Sequence, residues 1–418
     1  MIASIFQFVP LLLLLVWPPP TALQGAIHLQ PPTGSVPPAF IGINLQRRTY
    51  TEPLPPAEVH AWRSFDAAWY KVEPVRGDWH FDHSDATVAD AQRLGVDLDL
   101  VLTSSPTWAS ARPTESVIRP YFPKGMRAEA ANLDDWTRYV HTVAERYKGR
   151  VHTYELWNEP NLKDWYSGDA DHMAALCLAA YRTLKAVDPS ITVISPGFSP
   201  YSHPEFVQAV LQHQPRFFDV LGYHFYTERS TPERQVLLLR ALDDICRAAR
   251  LPETLPVWDM ESGYLVRSSA GAKHSNASIL PAYAYALDDS ESEDFLVRAY
   301  VLGWALHIER YYWFSWGSDI YAVVDDAGDT EKPVTRALRK LSSRLVGSTM
   351  LSCDRSTEGL WTVNLRDPHG HPFTIIWSDA STQAISFSRK WKTARTIDDS
   401  SVPHGDHIEI TGTPIFLS

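Results

Sequence analysis

From about residue 40 the chain alternates between two hydrophobic rhythms. Short apolar-leaning runs read as strands: Phe40–Gln46, His60–Asp66, Val96–Thr103, Val151–Trp157, Ile191–Ser195, Asp219–His224, Leu255–Met260 and Tyr311–Trp316. Helical spacing separates most of them. In Leu133–Tyr147 the residues Trp136, Tyr139, Val140, Val143 and Tyr147 fall on one helical face, and Met173–Val187 and Val236–Ala249 repeat the pattern. Lys332–Val346 reads as the last helix of the series. Eight strands with intervening helices over about 280 residues predict an α/β fold of the (β/α)8 TIM-barrel type. A doubly wound sheet is the alternative, but that fold usually carries a glycine-rich phosphate turn after its first strand, and Phe40-Ile-Gly-Ile-Asn-Leu45 has none. The first βα unit is the weakest, because Arg47–Glu58 is rich in Pro and Thr and hardly reads as a helix.

Beyond Val346 the rhythm changes. Leu360–Arg366, Phe373–Asp379, Ala384–Ser388 and His407–Thr411 are short strands between Gly, Pro, Asp and His turns. The expected organisation is a barrel over residues 38–346 and a small all-β, sandwich-like domain over 347–418, whose strands can borrow a partner from residues 26–38. Residues 1–25 read as a signal peptide: Leu11 to Trp17 is apolar but too short to span a membrane, and Pro18-Pro-Pro20 follows. The expectation is export to the periplasm or the extracellular space, with cleavage near Ala22 to Ala26 and no stable membrane insertion. The region before the apolar run lacks Lys and Arg, which leaves anchoring by an uncleaved signal open.

Composition narrows the partners. A net charge of −11 disfavours nucleic acid or an anionic membrane surface. Aromatic residues make up 12% of the chain, with 15 Trp, a residue that suits both cores and the flat faces of sugar rings. Cys177, Cys246 and Cys353 are far apart, give no metal spacing and no disulfide framework, and the first two fall in helical stretches as small hydrophobes. Asp288–Asp294 reads as an exposed loop and helix start, and the stretch after the seventh strand, with Asn276 in a glycosylation sequon, as a long loop.

The chemistry concentrates at strand ends. Val151–Trp157 runs into Asn158-Glu159-Pro160, and the proline stops the strand behind the carboxyl. A second carboxyl, Glu261, ends the strand Pro256-Val-Trp-Asp-Met-Glu261. In a barrel, active sites form at the C-terminal ends of the strands, and by count these are strands 4 and 7. Two carboxyls so placed fit acid/base and nucleophilic work on a glycosidic bond. Asp259 lies on the same face of a regular strand as Glu261, so spacing alone leaves the two in competition. Glu73 reads as structural, paired with a loop cation, and Glu155 as a buried carboxyl pointing into the barrel.

These motifs resemble the clan of retaining glycoside hydrolases known as clan A or the 4/7 superfamily. Asn158-Glu159-Pro160 and Glu261 are similar to its carboxylate pair. Trp69-Tyr-Lys-Val-Glu73-Pro-Val-Arg-Gly77, Leu102-Thr-Ser-Ser-Pro106-Thr-Trp108, Gly222-Tyr-His224-Phe-Tyr226 and Tyr312-Trp-Phe-Ser-Trp316 resemble its strand ends 2, 3, 6 and 8. With the trailing β-module the chain looks closest to family 39, which contains β-xylosidases and polysaccharide endo-hydrolases. The resemblance implies a poly- or oligosaccharide substrate, double displacement through a covalent glycosyl-enzyme, and no metal or organic cofactor. It makes Glu159 the acid/base and Glu261 the nucleophile. The implied substrate-binding residues are Asn158 at the sugar 2-hydroxyl, His224 and Tyr226 near the nucleophile, Arg63 paired with Glu261, Trp316 as floor of the reacting-sugar subsite, and Trp108. Arg63 sits one residue further from Trp69 than the family pattern has it, and Trp313 competes with Trp316 for the floor. A carbohydrate-binding barrel without turnover and a transglycosylase are the other readings the residues allow.

Overall fold

The structure, a computed structural model, describes residues 23–46, 53–117, 121–227, 230–266, 286–317, 323–324, 332–388 and 391–418. The apolar N-terminal run up to residue 22, Arg47 and the loop 267–285 with Asn276 lie outside the described residues. Among the described residues no helix is long and apolar enough to cross a membrane.

Strand β1 (Ile27–Leu29) precedes eight parallel strands: β2 (Ile41–Gln46), β3 (Ala61–Ser64), β4 (Asp97–Leu102), β5 (Thr153–Leu156), β6 (Thr192–Ile194), β7 (Leu221–Tyr223), β8 (Val257–Ser262) and β9 (Ile308–Gly317). Each falls within or across one of the strands expected from the sequence. Their order is β6-β5-β4-β3-β2-β9-β8-β7, and the open seam between β6 and β7 is closed by the parallel bridge Ile194–Val220 and by Ser195 N donating to Val220 O at 2.9 Å. The strands therefore form a closed barrel, not a doubly wound sheet. Helices α1 (Trp69–Val72), α2 (Asp82–Leu94), α3 (Leu133–Tyr147), α4 (Ala170–Val187), α5 (Pro204–Leu211), α6 (Gln235–Ala248), α7 (Asp289–Ala305) and α8 (Pro333–Leu345) alternate with the strands. Between β2 and β3 the described residues hold no helix, as the Pro-rich composition there predicts.

Local chemistry explains the helix limits. Asn132 caps α3 by accepting from Asp134 N, and Asp169 caps α4 through His172 N. The acidic run Asp288–Asp294 is the start of α7: Asp288 and Glu291 form a capping box, each accepting the other's backbone N–H. The carboxylates there also complement the positive end of the helix. Cys177 is buried and Cys246 half-buried, both in helices, and all three cysteines are free.

The C-terminal module packs two antiparallel sheets. One has the order β1-β10-β11-β12-β16-β14, built from β10 (Thr349–Arg355), β11 (Leu360–Arg366), β12 (Pro372–Ser378), β14 (Ala394–Arg395) and β16 (Ile415–Leu417). The other pairs β13 (Gln383–Ser386) with β15 (His407–Ile410). Between them lie Ile376, Ala394, Ile408, Ile410, Ile415 and Leu417, so the module is sandwich-like. One edge of the larger sheet is β1, which pairs with β10 in the register Ile27–Arg355 to Leu29–Cys353. A buried carboxylate is among the groups that join the barrel to the module. Glu233 accepts two bonds from Arg298 of α7 (2.7 and 2.6 Å) and one from the Trp377 indole of β12 (2.7 Å). Burial works against the charge on Glu233, but Arg298 outweighs it and holds the carboxyl below its ordinary value.

Candidate active site

The parallel register sets the floor of the site. Asn44 of β2, Arg63 of β3 and Asp99 of β4 are Cα partners across adjacent strands, so they share one face, and all three are fully buried. A guanidinium has five N–H donors, and here all five are used. Arg63 Nε and Nη2 donate to the two oxygens of Glu155 (2.5 and 2.8 Å), Nη2 also to Asn158 Oδ1 (2.8 Å), and Nη1 to Asn44 Oδ1 (2.8 Å) and Glu261 Oε2 (2.7 Å). One planar group thereby fixes residues from β2, β3, β5 and β8 relative to each other. Burial disfavours the charge on Arg63, but Glu155, Glu261 and Asp99 overcome it, and the guanidinium stays protonated. Asp99 goes the other way: burial and then the neighbouring Glu155 push its carboxyl well above the ordinary value.

The run from Leu156 to Pro160 does not continue as a strand. Regular pairing stops at Leu156, three residues earlier than the proline alone would require. Trp157 (φ 77°) and Glu159 (φ 45°) then adopt left-handed backbone, which costs a non-glycine residue of order 1 kcal/mol or more and tends to occur at functional positions. Gly197 holds this shape from beyond β6. Glu159 N donates to Gly197 O (2.8 Å) and Gly197 N to Trp157 O (3.2 Å). The result turns Asn158 toward Arg63 and leaves Glu159 7% exposed.

Around Glu159, His224 Nδ1 lies 3.0 Å from Oε1. Burial pushes the Glu159 carboxyl up to about 7, while hydrogen bonds from Ser199 and Trp165 and the charge of Arg63 pull the other way. The same burial lowers His224 to about 4, so at neutral pH the contact is a hydrogen bond to an uncharged imidazole and not an ion pair. Glu261, 9% exposed, accepts from Arg63 through Oε2 and from the Tyr226 hydroxyl through Oε1 (2.8 Å). Tyr226 in turn stacks on Tyr201, ring centroids 6.0 Å apart.

The geometry separates the residues that sequence spacing left in competition. Asp259 is fully buried and turned onto backbone: its Oδ1 accepts Phe225 N and Glu261 N, each at 3.2 Å. Burial raises it to about 7. Glu261, not Asp259, meets Arg63 and Tyr226. Trp316 and Trp313 are an odd number of residues apart, and a register shift between β2 and β9, Ile43 opposite Trp313 but Leu45 opposite Trp316, removes the simple alternation that would place them. Trp313 packs against Tyr300 and Tyr264, whereas the Trp316 indole donates to Pro53 O (2.8 Å). Trp108 stands edge-on to Trp69, donates to Glu73 O (3.0 Å), and carries Arg76 and Arg138 over its ring. Glu73 accepts from the Trp69 indole (2.8 Å), Gly77 N (2.8 Å) and Arg138 (2.7 Å), so its cation comes from helix α3 and not from a loop as expected.

Asn158, Glu159, Glu261, His224, Tyr226 and Arg63 thus form one buried, connected cluster at the C-terminal ends of the barrel strands. Reading the sequence missed Asn44, whose Nδ2 also donates to Met260 O (3.1 Å), and Gly197, Ser199, Tyr201 and Trp165. Asn44 was detectable as a lone polar residue inside Ile41-Gly-Ile-Asn-Leu45. The others sit in loops whose conformation no periodicity encodes.

No family model matches the sequence, and no curated protein does. Solved structures share its fold. A family 39 glycoside hydrolase from the gut symbiont Bacteroides cellulosilyticus WH2 aligns with a TM-score of 0.67 at 18% identity, over 91% of this chain and 81% of that one. A family 39 β-xylosidase from Caulobacter crescentus aligns with a TM-score of 0.62 at 13% identity, over 93% and 98%. A glycoside hydrolase family 30 subfamily 8 xylanase from Clostridium acetobutylicum gives 0.59 at 10% identity, over 93% and 96%. The likeness runs through both the barrel and the β-module of this chain.

Proposed function

We propose that the protein is a retaining glycoside hydrolase that cleaves O-glycosidic bonds of an oligo- or polysaccharide. One observation carries the reading. A single buried guanidinium touches both Glu261 and Asn158, the neighbour of Glu159, so the two carboxyls are tied to one group and have opposite surroundings. Glu261 is held by two donors, Arg63 and Tyr226, which suit a carboxylate. Glu159 is raised to about 7 and sits beside a neutral imidazole, which suits an acid that still holds its proton near neutral pH.

In the first step Glu261 attacks the anomeric carbon, the C–O bond to the leaving sugar breaks, and Glu159 passes its proton to the departing oxygen. In the second, water attacks the glycosyl ester, Glu159 takes a proton from that water, and Glu261 is released. In this reading Asn158, held by Arg63, bonds the sugar 2-hydroxyl. Solved proteins of this fold are named as β-xylosidases, xylanases and a glucosidase, so xylo- and gluco-oligosaccharides are the first substrates to test. The apolar N-terminal run fits a secreted enzyme that acts on glycans outside the cytoplasm.

Two variants probe the acid. Glu159→Gln is expected to lower kcat/KM by about 10³-fold on oligosaccharides, whose leaving oxygen needs a proton, and far less on a 2,4-dinitrophenyl glycoside, whose leaving group does not. In the wild type, kcat/KM on oligosaccharides should fall as pH rises through about 7, because the protonated fraction of Glu159 is lost there. In Glu159→Gln that limb should be missing from the residual rate on the same oligosaccharide. Wild-type rates on every glycoside would remove Glu159 from the mechanism. Gly197→Ala tests the shape of the site: a Cβ would lie 2.5 Å from Glu155 Oε1 and 2.6 Å from His224 Nε2. Displacement on that scale should cost about 100-fold in kcat/KM with the fold retained, read from steady-state kinetics beside a melting curve.

A further inference from the structure

Sugar rings offer flat patches of C–H groups, and aromatic side chains are their usual partners. On the rim beside Glu159 stands a row of rings that the core does not absorb. Trp165, in the β5–α4 loop, is held against the Glu159 turn: Leu162 N donates to Glu159 O and Trp165 N to Leu162 O (2.9 Å each), and the Trp157 indole donates to Trp165 O (3.2 Å). Its ring meets Phe122 edge-on, centroids 6.0 Å apart and planes at 75°. Phe122 lies 4.7 Å from Tyr121 and stands perpendicular to Tyr70 at 6.1 Å. Helix α1, which follows β3, and the loops after β4 and β5 therefore each contribute to one aromatic patch. Trp165 and Phe122 are half-buried, and Tyr121 is 69% exposed. Among the described large hydrophobic residues Tyr121 is the one aromatic so exposed. The exposed ring of Tyr121 is thus continued by half-buried rings down to the loop that carries Glu159, an arrangement that suits a flat ligand better than a single isolated ring would.

Position gives the patch its meaning. The proton on Glu159 goes to the leaving oxygen, so rings that border Glu159 from its own following loop border the leaving group. We propose that Trp165, Phe122 and Tyr121 form a subsite for a pyranose ring on the leaving-group side of the scissile bond. The preferred substrate then extends past that bond as an oligosaccharide. This rests on Glu159 being the proton donor.

The test compares two substrates of the same sugar: xylotetraose or cellotetraose, whichever is cleaved, and the corresponding glycosyl azide, whose leaving group has no ring. Tyr121→Ala and Trp165→Ala should each lower the tetraose-to-azide ratio of kcat/KM by about tenfold. Tyr121→Phe, which keeps the ring, should restore it. Equal losses on both substrates, or no loss, would overturn the subsite. A calorimetric titration of both tetraoses into the Glu261→Ala protein, with and without Tyr121→Ala, separates this from the hydrolytic reading. Weaker binding by about tenfold on removing Tyr121 supports the subsite even if the wild type turns over neither sugar. Binding that is absent or indifferent to Tyr121 refutes it.

Discussion

Replacing Glu261 with alanine should lower kcat by roughly 10⁵-fold on every glycoside cleaved, activated leaving groups included. The breadth of the loss distinguishes it from Glu159→Gln. Without the acid, a good leaving group still departs, but without the nucleophile no glycosyl ester forms whatever departs. The protein should keep its fold, because Glu261 lies at the rim with its side chain 12% exposed, and alanine leaves space that water or a small anion can enter. Azide or formate supplied at high concentration should restore part of the rate on a dinitrophenyl glycoside and give a product of inverted anomeric configuration. Restored turnover with retained configuration would point to another nucleophile. Asp259 is a poor substitute, because its carboxyl is fully buried and engaged by Phe225 N and Glu261 N.

The largest loss of stability should come from Arg63→Met. The substitution removes five donors at once and leaves Glu155, Asn44, Asn158 and Glu261 without their shared partner inside the barrel. Removing one side of a buried ion pair costs about 3–5 kcal/mol, because the charge left behind stays desolvated. An exposed pair such as Arg247–Asp244, with side chains 65% and 67% exposed, contributes little by comparison. Urea unfolding of the two variants Arg63→Met and Arg247→Met at pH 7 should show a large drop in midpoint for the first and almost none for the second. A change below about 1 kcal/mol for Arg63→Met would mean that water or side-chain movement relieves the cluster.

Much of the barrel was legible because its signal is periodic. Helix α3 occupies the same residues, Leu133–Tyr147, that the spacing of Trp136, Tyr139, Val140, Val143 and Tyr147 outlines. The barrel strands were legible as buried apolar runs between turns. The β-module was less so. Strand β10 was missed because its register shifts between Met350 and Ser352, which breaks the alternation a reader follows. Strands β14 and β16, of two and three residues, are too short to carry a period.

The site divides in the same way. Glu159, Glu261, His224, Tyr226 and Asn158 stand at or just past strand ends, where a run of apolar residues points to them. Arg63 was placed near Glu261 by resemblance, yet its grip on Glu155, Asn44 and Asn158 depends on inter-strand register, which one sequence does not reveal. Gly197 and Trp165 act from loops, and the upward shift of the Asp99 carboxyl follows from burial beside Glu155, a three-dimensional fact.

Double displacement through Glu261 is tested most directly by trapping the intermediate. The wild-type protein would be incubated with the 2-deoxy-2-fluoro, dinitrophenyl derivative of the sugar it cleaves fastest. The fluorine slows both steps, and the activated leaving group keeps the first fast enough for the ester to accumulate. Peptide mass spectrometry should then find one glycosyl unit on the peptide that carries Glu261, with the label absent in Glu261→Ala. Turnover of the parent glycoside with no label on any peptide, or a label on a residue other than Glu261, would contradict the assignment.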